Sequence, residues 1–114
     1  MIGIMIENVE AARNIEMMMS VEGVDFALFG PADLSMSMGL CRPDQNDPGV
    51  QEVLANTIEI AKNLGKYAMF DTGTDPDDIR RWADKGITMF ELDYELSIVR
   101  SVWSDRAKLI EGLK

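Results

Sequence analysis

The chain has 114 residues, 46% of them hydrophobic, a formal net charge of −9, one cysteine and no histidine. That length bounds it to one domain with a modest core, and the acidity argues against a nucleic-acid partner, which needs a basic face. The lone Cys41 excludes an internal disulfide and a cysteine-cluster metal site, and the lack of histidine excludes a Ser-His-Asp triad, a Cys-His pair and an imidazole ligand for zinc.

The start, Met1-Ile2-Gly3-Ile4, is apolar but short, with neither a basic region nor a small-residue cleavage site. The expectation is therefore no signal peptide, no membrane span and a cytoplasmic setting. Ile2 to Ile6 predicts a first strand, ending at Glu7. Asn8 is a plausible N-cap for a helix over Val9 to Ser20, broken by Glu22-Gly23. Val24 to Phe29 predicts a second, buried strand, and Ala32 to Met38 a short helical turn. Gly39 to Pro48 is rich in turn formers and reads as a loop. Gly49 to Leu64 is an amphipathic helix closed by Gly65. Lys66 to Phe70 is the third strand, followed by the polar turn Asp71-Thr72-Gly73-Thr74. Asp75 caps a helix with Pro76 at its first position, which runs to Lys85 and stops at Gly86. Ile87 to Leu92 is the fourth strand. Tyr94 to Leu113 is a closing helix, interrupted near Ser104-Asp105.

Residues 1–114 thus form a single α/β unit of four βα repeats, which implies a parallel sheet with right-handed crossovers. Four such units are half of a (β/α)8 barrel, and half a barrel has two open edges. The sheet then closes by association, belongs to a longer parent chain, or stays open; a homo-oligomer is the expectation. In Met17-Met18-Met19 one or two side chains must face away from the core. They read as gap-filling core or as a subunit interface.

The richest run is Phe29-Gly30-Pro31-Ala32-Asp33-Leu34-Ser35. An apolar strand ends there in Gly-Pro, and an acid stands at the turn, on the rim where parallel sheets meet ligands. Glu7 follows the first strand in the same way. Two carboxylates so placed can share one hard metal ion, although Glu7 alone also reads as a surface acid and Asp33 alone as a helix N-cap, a role that can coexist with that of a ligand. Asp71 and Asp93 read as turn caps, Lys62 and Lys66 as solvated charges, and Arg80-Arg81 as a solvent or interface pair. Trp82 and Trp103 read as packing residues and Cys41 as a free thiol.

Three stretches carry a resemblance: Ile2-Gly3-Ile4-Met5-Ile6-Glu7-Asn8, Val21-Glu22-Gly23-Val24-Asp25, and Phe29-Gly30-Pro31-Ala32-Asp33-Leu34-Ser35. In this order they closely resemble the HpcH/HpaI aldolases, class II enzymes of the phosphoenolpyruvate/pyruvate TIM-barrel superfamily. The likeness continues through Ser37-Met38-Gly39, Pro48 to Val53 and Gly65-Lys66, and matches strands five to eight of that barrel. The resemblance implies that Glu7 and Asp33 bind Mg²⁺ or Mn²⁺, with Co²⁺ a further candidate. It also implies that Gly30, Pro31, Ala32 and Asp33 hold the carboxylate of a small 2-oxo acid substrate. Backbone N–H groups at Ala32 and Asp33 suit an anion, whereas Pro31 has none and shapes the turn. The family's catalytic histidine and arginine belong to the other half of the barrel, so no catalytic residue beyond the metal ligands is expected here.

Three positions depart from the family pattern. Met5 stands where many members carry glutamine, Asp47-Pro48-Gly49-Val50 where His-Pro-Glu-Val is common, and Glu91 near a glycine of the last strand. The implied function is a metal-dependent aldolase, a carbon–carbon lyase that cleaves 4-hydroxy-2-oxo acids to pyruvate and an aldehyde. The alternatives are a citrate lyase β-like CoA-ester lyase and a non-catalytic barrel half that serves assembly. The acidic chain offers little for a CoA nucleotide.

Overall fold

The computed structural model describes residues 1–111. The elements are β1 (Gly3–Ile6), α1 (Val9–Met19), β2 (Phe26–Phe29), α2 (Pro31–Ser37), α3 (Pro48–Asn63), β3 (Tyr67–Asp71), α4 (Pro76–Asp84), β4 (Met89–Glu91) and α5 (Glu95–Glu111). All strand pairs are parallel and the sheet order is β1-β2-β3-β4. Sequential parallel order is the order of a barrel wall. A doubly wound sheet would reverse at a switch point, and this one does not.

The expected elements form for the expected reasons. Asn8 caps α1, its side chain accepting from the Ala11 N–H at 2.8 Å. Asp75 caps α4, accepting from the Asp77 N–H at 2.8 Å, with Pro76 at the first helical position. Several boundaries move. α3 starts at Pro48, one residue early, because Asp47 caps it by accepting from the Gly49 N–H at 2.9 Å. β4 starts at Met89, later than expected, because Gly86 and Ile87, where the expected strand begins, are used to close α4. The Gly86 and Ile87 N–H groups donate to Ala83 O and Trp82 O, at 2.9 and 3.1 Å, with Gly86 at φ +104. α5 is continuous through Ser104-Asp105, where Asp105 pairs with Lys108 at 2.9 Å. Its expected end at Leu113 lies outside the described residues.

One face of the sheet carries the core. Ile6, Ala27, Phe29, Ala68 and Phe70 point into it and meet Ala11, Ile15 and Met19 of α1, Val50, Leu54 and Ala61 of α3, and Trp82 of α4. Phe70 sits between Phe29 and Trp82, with ring centroids 6.1 and 4.5 Å away. The alternate residues face the other way. Met5 and Tyr67 are exposed, and Phe26, Leu28, Met69 and Met89 are half-buried. Parallel sheets are normally covered on both faces, so this bare apolar face is that of a barrel interior.

Of the methionine tract, Met19 is buried and Met17 exposed, as the spacing predicts. Two expectations fail. Lys66 is not merely solvated: its Nζ donates to Met19 O and, at 3.1 Å, to Val21 O, and so closes the end of α1. Trp103 does not pack into the core. It is 64% exposed on α5, with the Arg106 guanidinium 5.6 Å from its ring. No residue of α5 is buried. The radius of gyration is 17.0 Å, against about 13 Å for a compact chain of this length. Among the described residues no helix is long and apolar enough to cross a membrane.

Candidate functional site

Because the strands are parallel, β1 and β2 end at the same edge of the sheet. Ile6 pairs with Phe29, so Glu7 and Gly30 stand level on the rim. The Gly30 N–H donates to Ile6 O at 3.0 Å. A Cβ on Gly30 would lie 3.1 Å from the Glu7 Cβ and 3.7 Å from its Cα. Glycine therefore lets the second strand end tightly against the residue that carries the first carboxylate.

The chain enters α2 immediately. Gly30 is the N-cap, without a side-chain cap bond, and Pro31 follows at the first helical position. The first bond of the helix is from the Leu34 N–H to Gly30 O, at 3.1 Å. The N–H groups of Ala32 and Asp33 precede that bond and belong to the turn's donor set. Asp33 lies in the first turn and is exposed, not at the capping position. The capping alternative for its carboxylate is thereby removed. Ser35 is fully buried; its hydroxyl donates to Ala32 O at 2.7 Å and accepts from the Asp44 N–H at 3.0 Å. It ties the loop 39–47 to the start of α2. The sequence motif included Ser35 but gave no signal of this role, since its partner lies nine residues away in an irregular loop.

The structure thus brings Glu7, Gly30, Pro31, Ala32 and Asp33 to one stretch of rim. Glu7 is half-buried. Neither Glu7 nor Asp33 enters an ion pair among the described residues. Asp71 and Asp93, which the sequence places after strands, are engaged as caps, as expected. Asp71 accepts from the Gly73 N–H at 3.1 Å, and Asp93 from the Tyr94 N–H at 2.8 Å and the Ser97 hydroxyl at 3.0 Å. Among the described residues no three His, Cys, Asp or Glu side chains cluster as a complete metal cage. Two unpaired carboxylates without nitrogen or sulfur donors fit a hard divalent cation that keeps water or substrate oxygens in the rest of its shell.

A concavity of about 690 Å³ lies at the opposite edge, between α3 and α4, lined by Lys62, Lys66, Tyr67, Lys85 and Thr88 among others. It is a cleft between splayed helices and holds none of the rim residues.

The sequence model of the family described as HpcH/HpaI aldolase/citrate lyase matches residues 1–101. Over 109 residues the chain is 31% identical to a hydroxypyruvate/pyruvate aldolase of Pseudomonas aeruginosa, which covers 96% of this chain and 40% of the relative. Over 67 residues it is 37% identical to a 2-keto-3-deoxy-L-rhamnonate aldolase of Klebsiella pneumoniae, covering 59% of this chain and 25% of the relative. The crystal structure of an HpcH/HpaI aldolase from Desulfitobacterium hafniense superposes with a TM-score of 0.83 at 26% identity, over 98% of this chain and 43% of that one. The chain spans less than half the length of each of these relatives. With its sequential parallel sheet and glycine-tight rim, it belongs to the HpcH/HpaI aldolase/citrate lyase family and forms part of that family's barrel.

Proposed function

We propose that this chain supplies the metal- and carboxylate-binding part of a 2-oxo acid aldolase, a carbon–carbon lyase that releases pyruvate and an aldehyde from a 4-hydroxy-2-oxo acid. The observation that carries the reading is the pair Glu7 and Asp33, in no ion pair among the described residues and set just past adjacent strand ends on either side of Gly30. Those two carboxylates hold Mg²⁺ or Mn²⁺, with Co²⁺ an acceptable substitute. The cation, when bound, supplies Lewis-acid polarisation of the substrate 2-oxo group.

The chain's own residues bind and orient. The Ala32 and Asp33 N–H groups donate to the substrate carboxylate, and Pro31 holds the turn that aims them. Met5 offers no hydrogen bond to substrate. With no histidine in the chain, the group that takes the hydroxyl proton comes from outside it. The working unit is an oligomer, a reading supported by the bare apolar sheet face, and its setting is read as cytoplasmic.

The test is Mn²⁺ calorimetry on wild type and Asp33→Ala, each with and without pyruvate. Wild type is expected to bind Mn²⁺ at least tenfold more tightly than Asp33→Ala, and pyruvate to strengthen binding only in wild type. Absence of binding in both, or full aldolase turnover by the isolated chain, overturns the reading.

A further inference from the structure

We infer that Ser37 is a positioning residue: its hydroxyl fixes the helix that carries Asp33 against the junction that carries Glu7, and so sets the separation of the two carboxylates. The inference rests on the metal-binding reading of that pair.

Glu7 lies in the short junction between β1 and α1, and α2 holds that junction from both sides. Before it, Ile6 O accepts from the Gly30 N–H at 3.0 Å. After it, the Val9 N–H donates to the Ser37 Oγ at 3.1 Å. Gly30 is the N-cap of α2 and Ser37 its last residue. The two ends of one short helix therefore grip the chain on both sides of Glu7, and Asp33 rides on the same helix. Val9 opens α1, so its N–H has no partner within the helix. Asn8 serves the Ala11 N–H instead. Ser37 takes the donor that the N-cap leaves.

A hydroxyl at the exposed end of a helix contributes little to folding, and α2 has other anchors. Leu34 and Ser35 are both fully buried, and Ser35 holds Ala32 O and the Asp44 N–H. Loss of the Ser37 hydroxyl leaves α2 in place but frees its last turn from the β1–α1 junction. Metal ligands must sit within a few tenths of an ångström of their ideal distances, so small slack between Glu7 and Asp33 weakens chelation where it barely alters stability. Supporting residues behind metal ligands act on affinity in this manner.

The experiment compares wild type, Ser37→Ala, Ser37→Thr and Asp33→Ala, all as the full chain. Free Mn²⁺ is titrated by electron paramagnetic resonance, and exchange of the Val9 amide is followed by NMR without metal. Ser37→Ala is expected to bind Mn²⁺ about tenfold more weakly, with faster Val9 exchange. Ser37→Thr, which keeps the acceptor, returns both to near the wild-type values. Ser37→Ala affinity equal to wild type overturns the positioning role and leaves the carboxylate pair intact. Equal weakening in the Ala and Thr variants also overturns it, since the acceptor oxygen is then not what matters. If wild type and Asp33→Ala do not differ, the metal reading itself falls and takes this inference with it.

Discussion

At the scale of residues, the rim depends on one missing methyl group. Gly30 has φ −105, which any residue adopts, so its glycine is explained by space alone. A Cβ there meets the Glu7 Cβ at 3.1 Å, and Glu7 must yield by a few tenths of an ångström. Gly30→Ala is expected to leave thermal stability within about 1 kcal/mol, since alanine also restricts the unfolded chain, while Mn²⁺ affinity falls several-fold. Unfolding and Mn²⁺ titration on the same sample check this; unchanged affinity would remove the steric argument. The placement of Glu7, Gly30 and Asp33 on one rim was legible in the sequence because each stands within a few residues of an apolar run that reads as a strand. Lys66 and Trp103 were not. A lysine that reaches two carbonyls at the end of a distant helix and a lysine in water share one local sequence. A tryptophan in an amphipathic helix looks like core whether or not the helix has anything to pack against.

At the scale of elements, local chemistry carried most of the fold. Asn8 and Asp75 cap where the side-chain type says they should, and the strand–helix alternation follows the change of hydrophobic period. Two of the boundaries that moved, at Asp47 and Ile87, did so where a capping bond competes with a strand or helix residue. α5 is the exception among the helices. It runs from Glu95 to Glu111 without a buried residue, and Leu96, Val99, Val102 and Trp103 all face solvent. A helix that buries none of its residues adds little to the cooperative fold. A chain ended after Tyr94 should melt within about 3 °C of the full chain. A drop of more than about 8 °C would mean that α5 is held by the rest of the molecule in solution.

At the scale of the whole molecule, one sheet face is packed and the other is bare. Met5, Phe26, Leu28, Tyr67, Met69 and Met89 share the bare face, and β1 and β4 are its unpaired edges. An apolar surface bounded by free strand edges promotes association. Sedimentation velocity should show an average mass above that of one chain, rising with concentration. Leu28→Glu should shift it toward the monomer, with the helical circular dichroism retained. A strictly monomeric wild type at the highest concentration would count against the oligomer. The sequence showed the apolar runs but not that one side of them goes uncovered, since a strand buried on both faces and one buried on a single face read alike when every residue is apolar.

The strand order also decides how the chain can be made. Every strand pairs only with the strands next to it in sequence, so no strand waits for a distant partner before the ladder can grow. Assembly can proceed from the amino end, one repeat at a time, each new strand finding a finished edge. The widest loop closure is Phe26 to Tyr67, which spans α2, the loop 39–47 and all of α3. Docking of β3 onto β2 is therefore the step with the largest closure entropy. The β1–α1–β2 segment, which holds Glu7 and leads into Gly30, can form before that step, so the rim is sketched early while the core behind it closes late.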